Sequence, residues 1–209
     1  MTTRISPVAL VLLLACSPLA CHQRQATTAE SILPDTIVLR PGDVVFRRCT
    51  GLTSRIVAFQ DTGGIFSHTG IVVDSAGVMM IVHAVPGEPD FQGDADRVKM
   101  DSPHKFYAQG YALSAAVSRP LDSIAGKRAA HKAMEIYQRG TLFDNDYDDT
   151  DTTRMYCTEL IAYVYRQAGV ELLDSMRHTV SLPLTQLRCI MPSQIFKSKA
   201  LKDIYMYNP

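Results

Sequence analysis

Residues 67–85 read Ser-His-Thr-Gly-Ile-Val-Val-Asp-Ser-Ala-Gly-Val-Met-Met-Ile-Val-His-Ala-Val. Two β-rich runs, 69–73 and 78–85, are separated by Asp74-Ser75-Ala76-Gly77, a turn-forming composition, so the stretch reads as a hairpin. A two-residue loop of Ser75 and Ala76 sets Val73 opposite Val78, Ile71 opposite Met80 and His68 opposite His83. Directly opposed residues hold their Cβ atoms ~4.5–5.5 Å apart, so one imidazole can hydrogen-bond the other. A three-residue loop would shift the register by one and send the two rings to different faces. The remaining folded-part histidines, His104, His131 and His178, read as a loop, a helix and a second loop residue, with surface or structural roles.

The segment that completes the pattern lies far downstream. Tyr156 to Gly169 (YCTELIAYVYRQAG) carries apolar residues at 157, 160, 161, 164 and 168, the spacing of one helix face, and Gly169 is a stop signal. The preceding run, FDNDYDDTDTTRMY, is too rich in Asp and Thr for a helix interior, which puts Cys157 at the helix N-terminus. Unpaired N–H groups and the positive end of the helix dipole favour a thiolate there, and the same N–H groups can supply part of an oxyanion hole. A cysteine nucleophile, a strand histidine as base (His68) and a neighbouring polar residue that fixes its tautomer (His83) form a thiol-hydrolase constellation.

SHTGIVV at 67–73, HAVPG at 83–87 and YCTEL at 156–160, preceded by RPGDVVF at 40–46, resemble the YiiX-type permuted papain-like cysteine amidases of the wider NlpC-type superfamily. The resemblance spans about residues 38–195 and implies Cys157 as nucleophile, His68 as base, His83 in the third position and Tyr156 as a pocket residue. Close relatives of that type would carry glutamate in the third position. A histidine there resembles the lecithin retinol acyltransferase branch, so the implied substrate is either a small peptide derived from cell wall or an acyl amide.

The leader is of a different kind. Residues 1–21 hold one early charge, Arg4, an apolar run from Val8 to Ala15, and small residues beside cysteine, the features of an export signal. LLAC ending at Cys16 and PLAC ending at Cys21 each resemble a bacterial lipobox, so cleavage and lipidation at Cys16 or Cys21 remain alternatives. The expected organisation is a leader over 1–21, a polar linker over 22–34 and one folded domain over 35–209, exported and lipid-anchored to a membrane of the bacterial cell envelope. Of five cysteines, Cys49, Cys157 and Cys189 remain in the folded part, an odd number for an oxidising compartment, and a Cys49–Cys189 bridge stays open.

Composition bounds the rest. The 209 residues balance 21 Lys plus Arg against 21 Asp plus Glu, with no long basic tract, so nucleic acid is not an expected partner. Five aspartates, Asp144, Asp146, Asp148, Asp149 and Asp151, invite a calcium loop, yet its sixth place is Asp149 and its twelfth Met155 where glycine and glutamate are required. No cofactor or metal is expected, although two histidines and a cysteine are also a conceivable zinc set. The expected fold is α+β, circularly permuted papain-like: a small, mainly antiparallel sheet or partial barrel from strands near 37–46, 55–60, 69–84 and 111–117, against helices near 121–139 and 157–168. Residues 86–110 read as a loop-rich stretch that borders the substrate cleft.

Overall fold

A continuous apolar run sets the first strand. In β1 (Val44–Cys49) the residues Val44, Val45 and Phe46 are all fully buried, the signature of a strand covered on both faces. The turn before it is the expected one: Gly42 has φ +96°, and the Asp43 carboxylate accepts from the Arg40 N–H (2.8 Å) and from Arg119 (2.8 and 2.9 Å). The computed structural model describes residues 30–50, 61, 64–148, 150–174, 178–182 and 185–209. The leader with Cys16 and Cys21, most of the linker, and the strand expected at 55–60 lie outside the described residues.

After β1 come β2 (His68–Ser75), β3 (Val78–Val85), β4 (Arg97–Asp101), the short helix α1 (Pro103–Phe106), β5 (Ala112–Pro120) and α2 (Ser123–Gln138). They are followed by β6 (Leu142–Phe143), β7 (Arg154–Met155), α3 (Cys157–Gln167), β8 (His178–Leu182), β9 (Thr185–Cys189), α4 (Pro192–Phe196) and β10 (Leu201–Tyr207). One sheet runs β10-β5-β1-β2-β3-β4-β6-β7, antiparallel except for β6–β7, and β8–β9 form a separate ribbon. The α+β half-barrel is therefore as expected in class and wider than expected in extent. Residues 86–110 are not all loop: RVKMD forms β4, and Ser102, whose side chain accepts from the Lys105 N–H, caps α1. His104 sits in α1, His131 is exposed on α2 and His178 begins β8 rather than a loop.

The hairpin turn is displaced by one residue from the expected position. Ser75 pairs with Val78, so the loop is Ala76-Gly77, with φ of 54° and 86°, the double left-handed geometry that matches strand twist. Val73 therefore faces Met80 and Ile71 faces Val82, and the expected pairing of His68 with His83 is wrong by two residues. A shift of two preserves the face of every side chain. Both imidazoles thus stay on one side of the sheet, related diagonally.

The two faces bury different partners. On one, Phe46, Ile71, Val82, Leu160, Ile161 and Val164 pack with the small-residue stripe of α2, Ala125, Ala129 and Ala133. On the other, Val45, Val72 and Ile81 pack with Phe106 and Tyr107. Close approach of α2 to the turn before β1 needs glycine on both sides: a Cβ on Gly42 would lie 2.5 Å from the Gly126 Cα.

Candidate active site

Cys157 is the first residue of α3, and its helix packs on the first of those faces. The β2–β3 ladder ends at Ile71–Val82, so the Thr69 N–H has no β3 carbonyl to meet. It points at the Cys157 sulfur instead, joined there by the N–H groups of Thr158 and Cys157 itself. The sulfur thus sits at an opening of the sheet with amide donors around it, while the residue keeps partial exposure to solvent. Tyr156 precedes it with its ring buried, 5.2 Å from the Tyr147 centroid, and its hydroxyl accepts from the Ile190 N–H at 3.2 Å.

His68 stands on β2 one residue before Thr69, with its ring against that of Phe106, 5.7 Å between centroids. Its Nε2 lies 2.9 Å from His83 Nδ1, and His83 Nε2 lies 3.1 Å from Asp101 Oδ2. Asp101 is held from its other side by Lys105 at 2.8 Å, and Lys99 stands 3.8 Å away. Burial works against the Asp101 charge, but the His83 and Lys105 hydrogen bonds outweigh it and hold its carboxyl well below the usual range. An ionised Asp101 makes His83 Nε2 the donor. His83 is then neutral, with Nδ1 as acceptor, because burial lowers it to about 4 despite Asp101. His68 must donate through Nε2, which leaves the lone pair of its Nδ1 as the basic site. Among the described residues no hydrogen bond joins that ring to the Cys157 thiol; base-to-nucleophile contacts often tighten only when substrate is bound.

The resting charge differs from the sequence expectation. Burial pushes the Cys157 thiol up to about 12, and the surrounding N–H donors only partly offset it. Burial, then Arg47, then His83, holds His68 well below its ordinary value. The helix N-terminus was expected to stabilise a thiolate; loss of water outweighs it, and both groups rest neutral.

Two residues escaped the sequence reading. Asp101 was hidden in a segment read as loop, and its only signal was the alternation of Val98 and Met100 with Lys99 and Asp101. Arg47 is fully buried on the His68 face and is the direct cross-strand neighbour of His68. The aspartate run is built as turns: Asp144 accepts from the Asp146 and Asp148 N–H groups, and Asp151 from that of Thr153.

A half-barrel with a helix-opening cysteine downstream of the strand histidine defines the permuted papain-like class. The chain belongs to the family of permuted papain-like amidases of the YaeF/YiiX, C92 type, whose description matches residues 38–205. Among solved structures it is similar to YiiX from Escherichia coli O157:H7, described as a metalloprotein, at 18% identity over 81% of this chain and 98% of that one, with a TM-score of 0.64. Among curated proteins none matches the sequence. The family makes the protein an amide-hydrolysing enzyme.

Proposed function

We propose that the protein is a cysteine amidase that opens an amide bond through a thioester on Cys157. The observation that carries this reading is the Thr69 amide at the Cys157 sulfur, one residue along β2 from His68, whose ring is linked through His83 to Asp101. As sulfur bonds to the substrate carbonyl carbon, the thiol proton passes to His68 Nδ1 and the carbonyl electrons move onto oxygen. Amide N–H groups at the start of α3 face that charge. The C–N bond then breaks, and His68 returns the proton to the departing amine. Water attacks the thioester with His68 again as base, the acid leaves, and the thiol is restored.

The proposed substrate is a small cell-wall-derived peptide, and the proposed location is the cell envelope, with a lipid on Cys16 or Cys21 tethering the domain to the membrane. Support comes from the leader, its cysteines, and the polar stretch HQRQATTAESILP that follows. Among the described residues no helix is long and apolar enough to cross a membrane. A second reading, cleavage of lipid or N-acyl amides or acyl transfer between lipids, is favoured by the histidine in the third position. A domain that only binds wall fragments would leave Cys157 inert. Turnover of wall peptides and of N-acyl amides by the mature protein, with Cys157→Ala as control and hydroxylamine trapping of the thioester, separates the three.

Zinc in place of a free thiol does not suit the donors. His68 Nε2 and His83 Nδ1 face each other, His83 Nε2 faces Asp101, and among the described residues no three His, Cys, Asp or Glu side chains converge as a metal set. No step is routed through a metal.

A further inference from the structure

The Arg47 guanidinium is fully buried and incompletely matched. Its Nη1 donates to the Phe106 carbonyl at 2.9 Å, its Nη2 donates to Glu88 Oε1, and its central carbon lies 4.6 Å from the centre of the Phe106 ring. The guanidinium also hydrogen-bonds the Cys49 thiol, but among the described residues neither Arg47 Nε nor Glu88 Oε2 has a partner within ordinary hydrogen-bond distance, although both atoms are buried. Arginine binds a carboxylate best through two parallel bonds, and here a buried pair makes one. Leaving buried charged groups part-satisfied is costly, so the arrangement is a poor choice for stability alone.

The partner's origin matters as much as its geometry. Glu88 belongs to the irregular stretch 86–96, not to the sheet, and keeps 12% side-chain exposure against none for Arg47. That stretch is pinned by Lys99 to the Glu88 carbonyl (2.7 Å), and by Lys99, Lys105 and Arg97 to Asp90 (2.8, 2.7 and 3.2 Å). Asp90 and Lys105 are each about a third exposed, so that pair contributes only ~0–1 kcal/mol, whereas Lys99 is buried and is the firmer of the pins. Burial pushes the Glu88 carboxyl up, and Arg47 only partly offsets it. Arg47 meanwhile is fixed by β1 and stands directly across from His68, whose Cβ at such a position is ~4.5–5.5 Å away.

We propose that Arg47 is the binding residue for a carboxylate carried by the substrate close to its scissile amide, and that Glu88 is a tethered stand-in which the substrate displaces by lifting residues 86–96. The proposal rests on the amide-hydrolase reading and names the substrate class, an acylated amino acid or peptide with a free carboxylate. A substrate carboxylate would span Nε and Nη2, pairing the donor that Glu88 leaves unmatched.

The test reads binding without turnover, on full-length protein carrying Cys157→Ala, titrated with N-acetylglycine and with its neutral counterpart N-acetylglycinamide by NMR and by thermal shift. Glu88→Gln is expected to tighten N-acetylglycine at least about fivefold and raise the melting temperature only when that ligand is present, while N-acetylglycinamide stays unchanged. Arg47→Met should weaken N-acetylglycine at least tenfold. Equal binding of the two probes, or no gain from Glu88→Gln, overturns the proposal even where Arg47→Met fails to fold. Failure of Cys157 to cleave any amide would sink the hydrolase reading and leave this binding result standing, so the two failures are distinguishable.

Discussion

Alkylation of Cys157 discriminates a neutral resting pair from an ionised one. With its thiol raised to about 12, only about one molecule in ten thousand is thiolate at pH 8, against roughly a quarter for an ordinary cysteine near 8.5. A more basic thiolate is more nucleophilic, by roughly fortyfold over that interval for a Brønsted slope of ~0.4–0.5. The net expectation is that iodoacetamide labels native Cys157 roughly fiftyfold more slowly than unfolded protein at pH 8. The rate should climb about tenfold per pH unit through pH 10, since the thiolate fraction does. Because the thiol itself is buried, the slope of the rate with pH, rather than its absolute value, separates charge from access. The assay is mass spectrometry of the peptide containing Cys157 over pH 5 to 10, in wild type and His68→Ala, with little difference expected between them below pH 7. A labelling plateau below pH 7 that His68→Ala abolishes refutes the reasoning, because it requires a thiolate–imidazolium pair in the free protein.

Other perturbations probe the relay and its support. Asp101→Asn removes the carboxylate that makes His83 Nε2 the donor, so the lone pair on His68 Nδ1 is no longer assured; kcat should fall by roughly 10²–10⁴ with KM little changed. A Cβ on Gly70 would sit 2.7 Å from Ile81 Cγ2 and 3.2 Å from His83 Cβ, so Gly70→Ala should lower kcat/KM in protein that is still folded at the assay temperature, and an unchanged kcat/KM would mean the relay tolerates the shift. Below its unfolded value near 6.5, His83 takes up a proton in the unfolded chain but not in the native one until about pH 4. Stability therefore falls as pH drops across that window, by about 3 kcal/mol from this residue, and urea melts of His83→Gln should show a shallower fall. Leu160 is fully buried under the sheet, so Leu160→Ala should cost ~2–5 kcal/mol in the same melts without altering the pH profile.

How much of this was legible follows from what each inference required. Helix spacing over 157–168 located α3 and its opening cysteine to within a residue, because a strong apolar stripe and a terminal glycine agree. The hairpin turn was misplaced, since the sequence does not say which two of Asp74, Ser75, Ala76 and Gly77 take left-handed backbone. The site survived the error because strands alternate with period two, and a register error of two leaves His68 and His83 on one face. An error of one would have lost the relay. Asp101 needed the register of a third strand, and β4 is too short and too polar inside to announce itself. Arg47 is the same case: a charged residue in the middle of VVFRRC gives no hint of which face it takes until β1 is paired on both sides.

The charge state was beyond any local reading. Dipole and N–H donors at a helix start are visible in sequence and lower a thiol, whereas desolvation depends on everything packed around the group, drawn from across the chain: β2, β3 and α3 on one face, and Phe106 against His68 on the other. Here the distributed effect is the larger, and it acts on Cys157 and His68 in opposite directions, so that both rest uncharged. In the proposed mechanism, proton transfer between them is required only when a carbonyl is in place to accept the sulfur. An enzyme organised this way keeps a poor nucleophile until substrate arrives, which also slows oxidation of the thiol. On that view the relay through His83 to Asp101 does not create a standing thiolate; it fixes which nitrogen of His68 receives the proton and steadies the imidazolium for the lifetime of the transfer.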